Sequence, residues 1–172
     1  DQTIGILGMG RIGQAIAAKL APWKPTILYH TRSEKDVPFQ YVGNLTEMAG
    51  KCDVLIVITP GGASTHHLVN ADVMNALGPQ GTLINVARGT VIDETAMIAA
   101  LSEGRLGWAG LDVFEHEPKV PQALRDLANV TLLPHVGSAT HETRAAMGKL
   151  TVDNLLSHLT DGTVISPVPE CQ

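Results

Sequence analysis

The stretch Thr3-Ile4-Gly5-Ile6-Leu7-Gly8-Met9-Gly10-Arg11-Ile12-Gly13 joins a short apolar run to three glycines spaced G-x-G-x-x-G. Residues 3–7 read as a buried strand. Residues 11–21 follow with Ile12, Ala15, Ile16 and Leu20 at helical spacing, closed by Pro22 and Pro25. Between a strand and a helix each glycine has its own task. Gly8 makes the tight turn, Gly10 lets the backbone approach a pyrophosphate, and Gly13 lets helix and strand pack closely. Helix N-terminal amides then face the anion. Gly8, Met9, Gly10, Arg11, Ile12 and Gly13 are therefore predicted to cradle a dinucleotide.

Outward from that turn, strands and helices alternate. Residues 26–29 read as a second strand, 31–38 as a polar loop and 39–42 as a short third strand. Asn44 caps a helix over 45–49. The run Val54-Leu55-Ile56-Val57-Ile58 is apolar throughout, the mark of a strand covered on both faces. Residues 65–75 hold one or two short helices, with Thr65 at their start. A strand over 82–86 precedes a helix over 94–102, which Asp93 caps and Gly104 ends. Strands over 108–113 and 130–133 lead to a long helix over 139–159. This order predicts an α/β fold: a doubly wound parallel sheet with helices on both faces, the Rossmann dinucleotide-binding arrangement. Residues 1–163 form that domain, and 164–172 are an extended, Pro-rich tail.

The chain has 172 residues, 44% hydrophobic but only 3% aromatic, so its core is built from aliphatic and small side chains. Its net charge of −5, with no basic block, argues against a nucleic-acid partner. No apolar run approaches the ~18 residues of a membrane span. Cys52 and Cys171 form no CxxC pair, which points to a reducing, cytoplasmic setting rather than a disulfide framework.

The cofactor is refined at the end of the second strand. NAD sites place a carboxylate there to accept from the ribose hydroxyls. Here the strand ends Tyr29-His30-Thr31-Arg32-Ser33, with no acid at His30. Arg32, flanked by the hydroxyls of Thr31 and Ser33, suits a 2′-phosphate. NADP(H) is the expected cofactor, with NAD(H) as the alternative.

Three further segments lie at strand ends, where ligands bind in doubly wound sheets. They are Asn85-Val86-Ala87-Arg88-Gly89-Thr90, Gly110-Leu111-Asp112-Val113-Phe114-Glu115-His116-Glu117-Pro118, and Pro134-His135-Val136-Gly137-Ser138-Ala139-Thr140. Val86, Ala87 and Arg88 head the first, while Thr59 and Pro60 end the fourth strand and face the same groove. With the glycine loop, these blocks resemble, in order, the signature blocks of the D-isomer-specific 2-hydroxyacid dehydrogenase family. Their wording is similar to its glyoxylate/hydroxypyruvate reductases.

The resemblance implies catalytic roles for Arg88, Glu117 and His135. Arg88 donates a forked pair of hydrogen bonds to a 2-oxo acid. His135, as imidazolium, protonates the carbonyl oxygen, and Glu117 favours that charged form. Asp112 bonds the nicotinamide carboxamide, Gly137 and Ser138 close the groove beside it, and Thr65 lines it. Glu115 lacks the family's offset from Asp112 and reads as a solvated charge. The resemblance also implies a small 2-oxo or 2-hydroxy acid substrate, a homodimer through the cofactor domain, and a substrate domain lying outside this chain. The chain alone is then expected to have little reductase activity. Two other readings are a dinucleotide-sensing regulatory module and phosphite or formate chemistry; Glu117 counts against formate. No metal is expected, because adjacent His66 and His67 point different ways on a helix.

Overall fold

The computed structural model describes residues 2–168. The chain divides after Pro134 into two compact units. The first contains β1 (Thr3–Leu7), α1 (Arg11–Leu20), β2 (Thr26–His30), β3 (Gln40–Tyr41), α2 (Leu45–Ala49), β4 (Val54–Val57) and α3 (Ala71–Leu77). It continues with β5 (Thr82–Asn85), α4 (Glu94–Ser102), β6 (Trp108–Leu111), α5 (Gln122–Arg125) and β7 (Val130–Leu132). The seven strands form one sheet in the order β3-β2-β1-β4-β5-β6-β7, and every pairing is parallel. The order reverses between β1 and β4, which creates the switch point where this architecture binds ligands.

Alternation along the strands gives each face its own core. On one face Ile4, Ile6, Ile27, Tyr29 and Ile56 pack with Ala17 of α1. On the other, Leu7, Leu28, Leu55 and Val57 pack with Met48 of α2, Val73 and Met74 of α3, and Met97 and Leu101 of α4. The sheet is thus covered on both faces, as the apolar run at 54–58 predicts. Cys52 belongs to the second core, where burial and the neighbouring Asp53 charge push its thiol up to about 11.

Several boundaries move for local reasons. Asn70, not Thr65, caps the helix after β4: its side chain accepts from the Val73 amide, so α3 starts at Ala71. Thr65 instead ends a one-turn 3-10 segment, Ala63–Thr65. The short α5 was not anticipated, since four residues are too few to show a helical period.

The second unit carries α6 (His141–Asp161). Thr140 caps it by accepting from the Thr143 amide, and Gly162 ends it in the left-handed conformation. The apolar residues Met147, Leu150, Val152, Leu155, Leu156 and Leu159 of α6 are all exposed. Past the helix the chain folds back: Ser166 donates its amide to Asn154 Oδ1 at 3.0 Å, and the Ser157 and Thr163 hydroxyls lie 2.9 Å apart. Residues 169–172 of the expected tail, with Cys171, lie outside the described residues.

Candidate dinucleotide site

The three glycines at the end of β1 carry separate constraints. Gly8 has φ +109°, and a Cβ there would come 2.9 Å from the Thr59 amide nitrogen. A Cβ on Gly13 would sit 2.1 Å from the Gly8 carbonyl oxygen, so α1 packs against β1 only without one. A Cβ on Gly10 would meet nothing within 4 Å. Gly10 is therefore not needed for internal packing; its bareness keeps the surface over the loop open. Gly10 is also the N-cap of α1, which has no side-chain cap and no acidic residue in its first turn. This cradle fits an anionic pyrophosphate, because amides and the positive end of a ten-residue helix face it with no competing carboxylate. Met9 is buried beneath the loop, while Arg11 and Ile12 are exposed.

At the end of β2 the side chains are committed differently. His30 Nδ1 is 2.9 Å from the Val42 carbonyl oxygen, so His30 braces the strand edge. The Thr31 hydroxyl donates to the Ser33 carbonyl at 2.6 Å, inside the turn. The loop is anchored by Tyr29, which is fully buried. Its hydroxyl accepts from the Lys35 amide at 2.8 Å and donates to the Lys35 carbonyl at 2.9 Å. The Tyr41 hydroxyl donates to the Thr31 carbonyl at 3.1 Å. Arg32 and Ser33 are left exposed at the tip. Neither tyrosine was among the expected site residues; a hydroxyl returning from a buried strand position has no sequence period to reveal it.

The turn after β5 is organised by Asn85, which is 1% exposed. Its Oδ1 accepts from the Ala87 amide at 3.0 Å and its Nδ2 donates to the Arg88 carbonyl at 3.1 Å. Asn85 thereby shapes the loop that presents Arg88. Val86 and Arg88 are exposed, whereas Ala87 is buried and contributes its backbone alone. Arg88 Nη1 donates to the Ala87 carbonyl at 2.6 Å. The Arg88 stem lies on Gly61, where a Cβ would be 2.9 Å from Arg88 Cγ. A Cβ on Gly89 would fall 1.9 Å from the Phe114 carbonyl carbon, so the Arg88 turn and the loop after β6 are in backbone contact.

That second loop carries Asp112, Glu115 and Glu117. Asp112 is buried, and its amide donates to the Asn85 carbonyl at 3.0 Å. Glu117 is exposed, and its Oε1 accepts from the Phe114 amide at 3.0 Å, which orients the carboxylate. Glu115 is not solvated as expected. Its side chain is 17% exposed and its Oε1 lies 2.9 Å from His67 Nε2. Residues 115–117 with Lys119, Val120 and Pro121 line a broad depression.

Past β4, Thr59 is half-buried and Pro60 exposed. The Thr65 hydroxyl closes its own turn, donating to the Pro60 carbonyl at 2.8 Å. His66 and His67 do not lie on a helix and do not diverge. His66 is extended, with φ −61° and ψ 124°, and His67 is left-handed, with φ 50°. That reversal turns the rings face to face, with centroids 3.9 Å apart and planes 25° from parallel. In the second unit His135, Gly137 and Ser138 are exposed, and His135 also has a positive φ of 55°. Arg88, Asp112 and Glu117 thus share the first unit, while His135 is the first residue of the second, directly after Pro134.

The family described as D-isomer specific 2-hydroxyacid dehydrogenase, NAD binding domain, matches residues 1–137. The chain belongs to that family. Among relatives, it is 48% identical over 166 residues to hydroxyphenylpyruvate reductase of Plectranthus scutellarioides, covering 96% of this chain and 53% of that protein. It is 48% identical over 168 residues to glyoxylate/hydroxypyruvate reductase A of Arabidopsis thaliana, covering 97% and 54%. Among solved structures, the NADPH-dependent glyoxylate/hydroxypyruvate reductase of Sinorhizobium meliloti in complex with NADP and malonate superposes with a TM-score of 0.96. It is 51% identical and covers 99% of this chain and 54% of its own. The chain spans about half the length of these relatives. Residues 1–137 are accordingly a nicotinamide-dinucleotide-binding domain of the 2-hydroxyacid dehydrogenase type. No helix among the described residues is long and apolar enough to cross a membrane.

Proposed function

We propose that this chain is the cofactor-binding half of a cytoplasmic, NADPH-preferring reductase of small 2-oxo acids, with glyoxylate and hydroxypyruvate as its substrates. The observation that carries this reading is the open cradle at Gly10, the N-cap of α1, together with a strand end that has His30 where an NAD site has an acid and an exposed Arg32 two residues on. The likeness to a reductase solved with NADP supports it. Thr31 takes no part through its hydroxyl, which is engaged within the turn, so Arg32 and Ser33 are the residues that meet the 2′-phosphate.

A bound nicotinamide dinucleotide supplies the hydride. Arg88, presented by the Asn85 turn, holds the substrate carboxylate and carbonyl with its forked donors. His135 delivers the proton to the carbonyl oxygen and withdraws it in the oxidative direction. Glu117, held by the Phe114 amide, is the carboxylate that favours the charged imidazole. Asp112 orients the carboxamide. Val86, Ala87, Thr59, Pro60, Gly137 and Ser138 border the cofactor, Ala87 through its backbone. The remaining substrate contacts come from a part of the protein beyond this chain, so the 172 residues alone bind cofactor without appreciable turnover. The exposed apolar side chains of α6 support pairing with a second copy in a homodimer.

The test is a titration of this chain with NADPH and NADH, followed by rates with glyoxylate and hydroxypyruvate for the longer protein containing it. Arg32→Ala should weaken NADPH far more than NADH, and His135→Gln should lower kcat by about 100-fold or more. Tight dinucleotide binding without reduction of any 2-oxo acid would establish a sensor instead.

A further inference from the structure

We propose that His66, His67 and Glu115 form a zinc site, outside the residues assigned to cofactor and substrate. One ligand atom from each can be chosen so that all lie within 4.8 Å of one another. Two imidazoles and one carboxylate are a donor set that zinc takes, leaving a fourth position for water. The two imidazoles count against calcium and magnesium, which take oxygen ligands. In a tetrahedral zinc site neighbouring ligand atoms stand about 3.4 Å apart, given bond lengths near 2.0–2.1 Å. His67 Nε2 and Glu115 Oε1, at 2.9 Å, already stand close to that edge. His66 is exposed and has room to swing its ring to the third corner.

The surroundings fit a metal better than a simple ion pair. Ligating histidines commonly turn their other ring nitrogen to a carboxylate, which sets the tautomer. His67 Nδ1 faces Asp93 Oδ2 at 3.9 Å, and Asp93 is itself fixed because its Oδ1 caps α4 at the Ala96 amide. The Glu115 amide donates to Oε2 of the buried Glu94 at 3.2 Å, so the carboxylate ligand rises from an anchored backbone. Glu115 and Asp93 bring two carboxylates to one imidazole, an excess of negative charge that a divalent cation offsets. His67 also keeps a left-handed backbone that favours glycine, held there by its amide donating to the Thr90 carbonyl at 2.9 Å. Such conformations persist where the surroundings enforce them, often at functional sites. Zinc bound here joins the segment after β4 to the loop that carries Glu117.

Calorimetric titration of this chain with zinc chloride in a non-chelating buffer tests the proposal, with cobalt as a spectroscopic substitute. One equivalent should bind, and cobalt should give the intense visible absorption of a tetrahedral site. His66→Ala and Glu115→Gln should each weaken binding by about 100-fold or more, and Asp93→Asn by roughly 10-fold to 100-fold, the usual cost of removing an outer partner. His116→Ala, in an exposed neighbour, should leave it unchanged. Absence of saturable binding overturns the site, as does binding that survives both His66→Ala and Glu115→Gln. His66 is exposed and its replacement leaves the core intact, so that variant decides the matter even where Glu115→Gln disturbs the loop.

Discussion

The turn after β1 and the turn after β5 are both short, both follow buried strands, and both serve the same end of the sheet. They are specified in opposite ways. The Gly8–Gly13 turn depends on side chains that are missing: Gly13 because the Gly8 carbonyl occupies the place of a Cβ, Gly10 because nothing does. The Asn85–Gly89 turn depends on a side chain that is present, since buried Asn85 satisfies the backbone at Ala87 and Arg88. Under the proposed function, one turn presents backbone to an anion; the other presents a guanidinium. Where the backbone is the binding group, specification is steric and local. Where a side chain is the binding group, specification needs a polar frame around it.

Replacing the most crowded glycines presses hardest on this contrast. Gly13→Ala and Gly89→Ala put a methyl against backbone 2.1 and 1.9 Å away, with no flexible side chain to give way. Each should cost about 3 kcal/mol or more, read as a shift in the urea unfolding midpoint. A loss under about 1 kcal/mol, the size of an ordinary substitution, would mean that the two loops yield and that crowding does not fix them. Asn85→Ala leaves the buried Ala87 amide unmatched, while the Arg88 carbonyl keeps the Val91 amide, and should cost about 2 kcal/mol. A neutral result would show that the second turn holds without its polar frame. Gly10→Ala separates binding from folding. Stability should fall by about 1 kcal/mol or less, because the new methyl meets no protein atom and only the N-cap preference for glycine over alanine is lost. Dinucleotide affinity should nevertheless fall roughly tenfold, about 1.4 kcal/mol. Equal affinity would show that the pyrophosphate does not need a bare backbone at Gly10.

An effect silent at neutral pH lies away from both turns, at Cys52. Its thiol is raised from an ordinary 9.0 to about 11, first by burial and then by Asp53. A raised thiol favours the protonated fold, so the contribution is complete below 9.0 and disappears as pH climbs toward 11. Melting temperature should therefore decline over that alkaline window, and Cys52→Ala should flatten the decline. An identical slope in both proteins would assign the alkaline loss to other groups.

What the sequence made legible follows the same division. The parallel sheet, the order of its elements and the glycine cradle were readable because each leaves a local trace: a period, an apolar run, a glycine spacing. The His67–Glu115 pair left none, since tertiary packing settles it, and Asn85 and Tyr29 left none because a single side chain turning back on its own loop carries no repeat. His66 and His67 misled because a single left-handed residue replaced the helix assumed for them. Glu115 misled because its partner stands 48 residues away.

Tyr29 has a wider consequence. Its one phenolic oxygen ties both the amide and the carbonyl of Lys35 to the floor of the core, and the Tyr41 hydroxyl holds the Thr31 carbonyl, so the two ends of the 31–35 loop are secured independently of what stands at its tip. Substitutions at Arg32 and Ser33 are thereby decoupled from folding. On the proposed role of Arg32 and Ser33 at the 2′-phosphate, descendants of such a chain trade one nicotinamide cofactor for another by drift at two exposed positions while their thermal tolerance stays the same. Under that proposal the two tyrosines make cofactor choice an evolvable trait.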